Sequence, residues 1–99
     1  MSAPVPAPDD RVHVFPEQLT LREAMVERDR LLAALQQGAT RADLRGLQHF
    51  DSSALVVMLA GVRASRLTGK TFVFEGVPDK LRGLARLYGL QELLPDALA

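Results

Sequence analysis

Residues 54–60 read ALVVMLA, seven apolar residues in an unbroken row directly behind the polar triplet Asp51-Ser52-Ser53. At about 100° per residue, such a run leaves a helix apolar almost all the way round. A helix of that kind has to be covered on more than one side. Leu55, Met58, Leu59 and Val62 form one stripe, which is assigned to packing on a sheet. The opposite side carries Ser53, Val57, Ala60 and Ala64, with Val56 at its edge. That second face is small and aliphatic where solvent would favour lysine and glutamate. Either another element of the domain covers it, or another protein does, since contiguous exposed apolar surface marks interaction sites; coverage by another protein is the expectation. Ser52 stands near the boundary between the two faces, with Arg63 below it.

The flanking segments supply the sheet. Arg11–Phe15 (RVHVF) alternates with Val12 and Val14 on one face and stops at Pro16; Gln18–Leu21 adds a few extended residues. Thr20 and Glu23 then form a capping box that opens a helix. Its stripe is predicted as Leu21, Met25, Leu32 and Leu35, with Leu31 beside it and Arg28 snorkelling from within it. Gly38 ends that helix. Thr40–Leu47 (TRADLRGL) is a second strand, with Ala42 and Leu44 on one face. The apolar helix follows to about Leu67, with Gly69 past its end.

Lys70–Val77 (KTFVFEGV) is the clearest strand, with Phe72 and Phe74 as core residues. Pro78 starts a last helix on Leu81, Leu84, Ala85 and Tyr88, with Tyr88 expected as a core aromatic. Gly89 breaks it, and Leu90, Leu93 and Leu94 close the chain before Pro95. Strands alternating with helices imply an α/β domain with a largely parallel sheet. Residues 1–10, rich in proline and small residues, are assigned to a flexible tail, and residues 11–99 to a single domain.

Composition narrows the chemistry. Twelve lysines and arginines balance twelve aspartates and glutamates, which removes the basic excess expected of a nucleic-acid partner or of anionic lipid. The absence of cysteine excludes disulfides, thiolate metal sites and a cysteine nucleophile. His13 and His49 are isolated and expected at the surface, so no metal site is assigned. No glycine-rich phosphate loop or dinucleotide fingerprint is present, and no cofactor is expected. Ser52 has no evident general base, and catalysis is not expected. The N-terminus lacks the pattern of a secretory signal, and no apolar stretch approaches the roughly 20 residues of a membrane span. A soluble, cytoplasmic chain without membrane insertion is the expectation.

The stretch DLRGLQHFDSSAL (Asp43–Leu55) resembles the signature of STAS domains, the family of bacterial anti-sigma-factor antagonists and sulfate-transporter tails, in which an Asp-Ser-Ser-Gly-Leu or Asp-Thr-Ala-Gly-Leu motif follows an Asp-Leu strand. EGVPDKLRGLARLYGLQELLP (Glu75–Pro95) is similar to the branch formed by the small cytoplasmic subunit of the Mla phospholipid ABC transporter. The resemblance covers roughly Arg11 to Pro95. It implies a STAS-type α/β fold, a mixed sheet of about four strands with helices packed against it. Ser52 occupies the serine or threonine position that partner kinases phosphorylate in the antagonists and that lies against the ATPase subunit in the transporter branch. Asp51 matches the aspartate before it and Asp43 the strand aspartate, while Ala54 replaces the usual glycine and fills space that a glycine leaves open.

Two functions follow from that resemblance. The first is a non-catalytic accessory subunit that binds the ATPase of a phospholipid ABC transporter, within a complex containing the membrane permease. Its contact residues are expected to be Asp51, Ser52, Ser53, Val56 and Arg63, with Arg82 and Arg86 of the last helix. The alternative is an anti-sigma-factor antagonist, bound by a serine kinase and released by phosphorylation at Ser52.

Overall fold

The computed structural model describes residues 11–91. The tail assigned to residues 1–10, and Leu93, Leu94 and Pro95, lie outside that range. The elements run β1 (Val12–Val14), β2 (Gln18–Leu19), α1 (Leu21–Gln36), β3 (Arg41–Asp43), β4 (His49–Phe50), α2 (Ser53–Leu67), β5 (Val73–Glu75) and α3 (Asp79–Leu87). Strands β1, β3 and β5 form a parallel three-stranded sheet in the order β1-β3-β5, and β2 pairs with β4 in a separate parallel ladder. Every described pairing is parallel, as strand–helix alternation requires. The long strand expected over residues 40–47 is shorter: β3 ends at Asp43, whose carboxylate turns back onto the Arg45 amide at 2.9 Å, and β4 starts at His49. The strand expected over residues 70–77 is likewise reduced to Val73–Glu75.

The register places His13, Ala42 and Phe74 side by side across the sheet, all buried. Phe72 and Phe74 meet edge to face at 5.2 Å, and Phe15 meets Phe74 at 6.1 Å, in the geometry that aromatic quadrupoles favour. Val12 and Val14 instead share the outer face with Arg41, Asp43, Val73 and Glu75, where Arg41 pairs with Glu75 at 3.4 Å. Val14 is 59% exposed. The histidine expected at the surface is therefore interior: His13 Nε2 lies 2.6 Å from Glu27 Oε2, and Glu27 Oε1 accepts from Arg30 Nη1 at 2.9 Å.

Helix α1 opens on the predicted capping box, with Glu23 Oε1 accepting from the Thr20 amide at 2.8 Å and Thr20 Oγ1 from the Arg22 amide at 3.4 Å. Its inner face differs from expectation. Leu31 and Glu27 are buried, with Ala24, Ala34 and Leu35 packed beside them. Leu21 and Met25 are exposed, and Arg28 pairs with Asp29 on the outside instead of snorkelling through a buried stripe. The helix is turned by roughly a quarter of its circumference from the predicted orientation, which brings Glu27 to His13.

Helix α1 packs along α2. The Leu21 amide donates to Asp51 at the head of α2, and Leu32, Leu35 and Gln36 share a cavity of about 420 Å³ with Ala64, Ser65 and Leu67 near its end. The two helices therefore run side by side in the same direction. Gly61 permits the contact: a Cβ there would stand 2.8 Å from Leu31 Cδ2 and 3.7 Å from Phe74 Cζ. Helix α1 thus covers part of the second face of α2, and Val57 is buried. Among the described residues no helix is long and apolar enough to cross a membrane.

Candidate functional site

Asp51 is the side chain that caps α2. Its Oδ1 accepts from the Ser53 amide at 2.8 Å, and its Oδ2 accepts from the Leu21 amide at 3.3 Å. One carboxylate therefore serves the first turns of two helices, where the dipole of each favours negative charge. The Ser53 amide, foremost, and the Leu21 amide hold the Asp51 carboxyl below the ordinary aspartate value. Ser52 already has helical dihedrals, φ −62° and ψ −15°, and its hydroxyl makes no cap bond. The triplet thus divides its work. Asp51 holds the helix start, and the Ser52 hydroxyl, half-buried, is left at the surface of the fold.

The Asp51 geometry makes a prediction about acid stability. A carboxyl whose folded pKa lies below its unfolded value stabilises the fold above the unfolded value, near pH 4, and stops doing so as pH falls through the folded value. Asp51→Ala is expected to cost about 1 kcal/mol at pH 7. The gap between variant and wild-type urea midpoints should narrow as the pH is lowered below about 4. A gap that stays constant from pH 7 to pH 3 would show that the carboxylate is not the cap.

Ser52, Val56, Leu59 and Arg63 fall within about 60° of one another on α2. Val56 is 63% exposed, a large aliphatic side chain that the fold leaves in solvent. Beside it, Ser52, Leu55, Val56 and Leu59 face Tyr88 and Leu90 across an open groove of about 290 Å³. Leu59, expected on the sheet-facing stripe with Leu55, Met58 and Val62, is only partly buried and lines this groove. Tyr88, expected in the core, is 57% exposed: α3 buries Leu81 and Ala85 and ends at Leu87, so the tyrosine stands just past its end as one wall of the groove.

The remaining candidates spread outward from there. Ser53 is half-buried in the first turn of α2, and Arg63 is exposed on the same stripe as Ser52 and Val56. Arg82 and Arg86 do not line the groove. Arg82 is half-buried and its Nε donates to the Val77 carbonyl at 3.4 Å, while Arg86 is exposed on α3. Periodicity missed Leu59, Tyr88 and Leu90 as site residues because nothing local says that the end of α3 comes alongside the first half of α2. The 420 Å³ cavity at the far end of α2 contains none of the motif residues. Among the described residues no three or more histidine, aspartate or glutamate side chains gather as metal ligands would.

A family model described as "Mlab, STAS domain" matches residues 15–95, which take in every element after β1, all three helices and the Asp51-Ser52-Ser53 triplet. No curated protein matches the chain. Membership supports a binding or accessory role, the ordinary one for a domain of this kind. The chain belongs to the MlaB-like STAS-domain family.

Proposed function

We propose that this chain is a non-catalytic accessory subunit of a phospholipid ABC transporter, and that it binds the cytoplasmic ATPase subunit through the Ser52–Val56 face of α2. The observation that carries the reading is Val56, 63% exposed between an uncommitted Ser52 hydroxyl and an apolar groove. Val56 adjoins Tyr88, also largely exposed, across that groove, and contiguous exposed apolar surface marks an interaction site where a single exposed side chain would not. The protein would then sit at the inner membrane through its ATPase and permease, with no insertion of its own.

The test is capture of the ATPase by tagged wild type and by Val56→Glu and Ser52→Asp. Both substitutions are at surface positions, and the aspartate suits a helix start, so circular dichroism and urea midpoints should stay near wild type. Each places a carboxylate in a desolvated contact, and captured ATPase should fall at least about tenfold. Wild-type recovery of the ATPase by both folded variants would exclude this face.

A second reading has one observation in its favour. The Ser52 hydroxyl makes no cap bond and lies at a helix start, where a phosphoryl group is electrostatically favoured. An anti-sigma-factor antagonist would use it as a phosphoacceptor. Intact mass of the protein from its own cells separates the two. A fraction one phosphate heavier, lost in Ser52→Ala, would favour the switch over the transporter subunit.

A further inference from the structure

We infer that the groove beside Ser52 and the cation two turns below it together read one amphipathic helical segment of the partner, bearing a bulky apolar anchor and a carboxylate. The inference rests on the proposed docking of an ATPase on this face and specifies the chemistry of the segment that docks.

The groove is open and, at about 290 Å³, lies at the lower edge of the roughly 300–1,000 Å³ of small-molecule pockets. Among the described residues that line it, five of six are apolar or aromatic, and Ser52 is the only aliphatic hydroxyl. It has no convergent set of polar groups with which to orient a metabolite. One large side chain, leucine, methionine or phenylalanine, suits it better, with Tyr88 as the rigid amphipathic wall that interfaces favour.

Charge decides what lies further along. Helix α2 contains Arg63 and Arg66 and no acidic residue anywhere between Ser53 and Leu67. Arg63 is exposed and, like Arg22 and Arg86, takes part in none of the ion pairs among the described residues; of these three it is the one that shares the Val56 stripe of α2. It lies seven residues beyond Val56, about 10 Å along the axis. That distance separates positions i and i+7 of a helix lying along α2. A carboxylate at one of them meets Arg63 when the apolar residue at the other fills the groove. Helix-in-groove recognition uses anchors at this spacing. A lipid or a second copy of this chain would not require such a pairing of one apolar anchor with one acid.

Calorimetric titration of the ATPase subunit with the full chain at low and at high salt tests the pairing. Tyr88→Ala should weaken binding about tenfold at both salt concentrations, because it removes a wall of the apolar pocket. Arg63→Glu should weaken it by more than about tenfold at low salt, where like charges now face one another. Arg63→Gln should bind only a few-fold more weakly and lose most of the salt dependence shown by wild type. All three substitutions are at exposed side chains and should leave the urea midpoint unchanged. If the ATPase binds wild type and every variant alike, the anchor-and-acid pairing is wrong while the accessory-subunit reading stands. If the ATPase does not bind wild type, both are wrong.

Discussion

Glu27→Ala is expected to lower the stability of the fold by about 3–5 kcal/mol, a large share of what a domain of this size possesses. Glu27 is 2% exposed and His13 8%, and the 2.6 Å contact between carboxylate and imidazole joins β1 to α1. At that distance Glu27 Oε2 and His13 Nε2 are hydrogen-bonded. Removing the carboxylate leaves an imidazole nitrogen buried without a partner, and the residual space adds the penalty of a cavity. Arg30 loses its partner too, but it is exposed enough for water to replace the bond.

The companion experiment is the double variant His13→Phe with Glu27→Met, which replaces both polar groups by apolar ones of similar size. It should recover most of the loss, because the main penalty comes from leaving one partner unpaired. Urea unfolding of wild type, Glu27→Met, His13→Phe and the double variant closes the cycle. A Glu27→Ala midpoint within about 1 kcal/mol of wild type would mean that the pair is already hydrated and holds nothing together.

The second large effect is expected where α1 crosses α2. Leu31→Ala empties a fully buried site and should cost about 2–5 kcal/mol. Gly61→Val adds two methyl groups and a branch point where even a Cβ would approach Leu31 Cδ2 to 2.8 Å. With Leu31 at 0% exposure and Phe74 behind it, the leucine has little room to retreat. The expected loss is about 1–3 kcal/mol, despite the gain in helix propensity from replacing a glycine. Combining the two should cost less than their sum, since the valine grows into the space that the shortened Leu31 vacates. Strictly additive losses in denaturant midpoint would show that the two positions do not share that volume.

Several elements were legible because their signals are local. The capping box at Thr20 and Glu23 forms as expected, since both partners lie within one turn. Gly38 and Gly69 end their helices with φ of 99° and 71°, conformations that cost glycine little. The Phe72–Phe74 strand is core, and Pro78 stands at the head of α3. Which face of β1 or of α1 turns inward was not legible in the same way. In RVHVF the period of two separates Val12 and Val14 from His13 and Phe15 equally well for either orientation. The structure buries the second set because Phe15 meets Phe74 and His13 meets Glu27, a residue fourteen positions away. The same contact turns α1 so that Leu21 and Met25 face outward.

The candidate site divides along the same line. The amino-acid sequence by itself determined the alternation of strands and helices apart from β4, the family signature, the polar head of α2 and the apolar excess of its body. All of these follow from neighbours within a few residues or from a motif. It also put Val56 at the edge of the second face and Ser52, with Arg63 below it, near the boundary between the faces, because helical geometry fixes those angles. The sequence left Asp51 and Ser52 both available as the cap; in the structure Asp51 caps through the Ser53 amide, and only the tertiary fold brings the Leu21 amide of α1 to the same carboxylate. The tertiary fold alone placed Tyr88 and Leu90 opposite Val56, and it alone buried Val57 under α1 while leaving Val56 bare. Such choices are set by packing between distant segments, and a hydrophobic pattern fixes how many faces a helix must cover without saying what covers each.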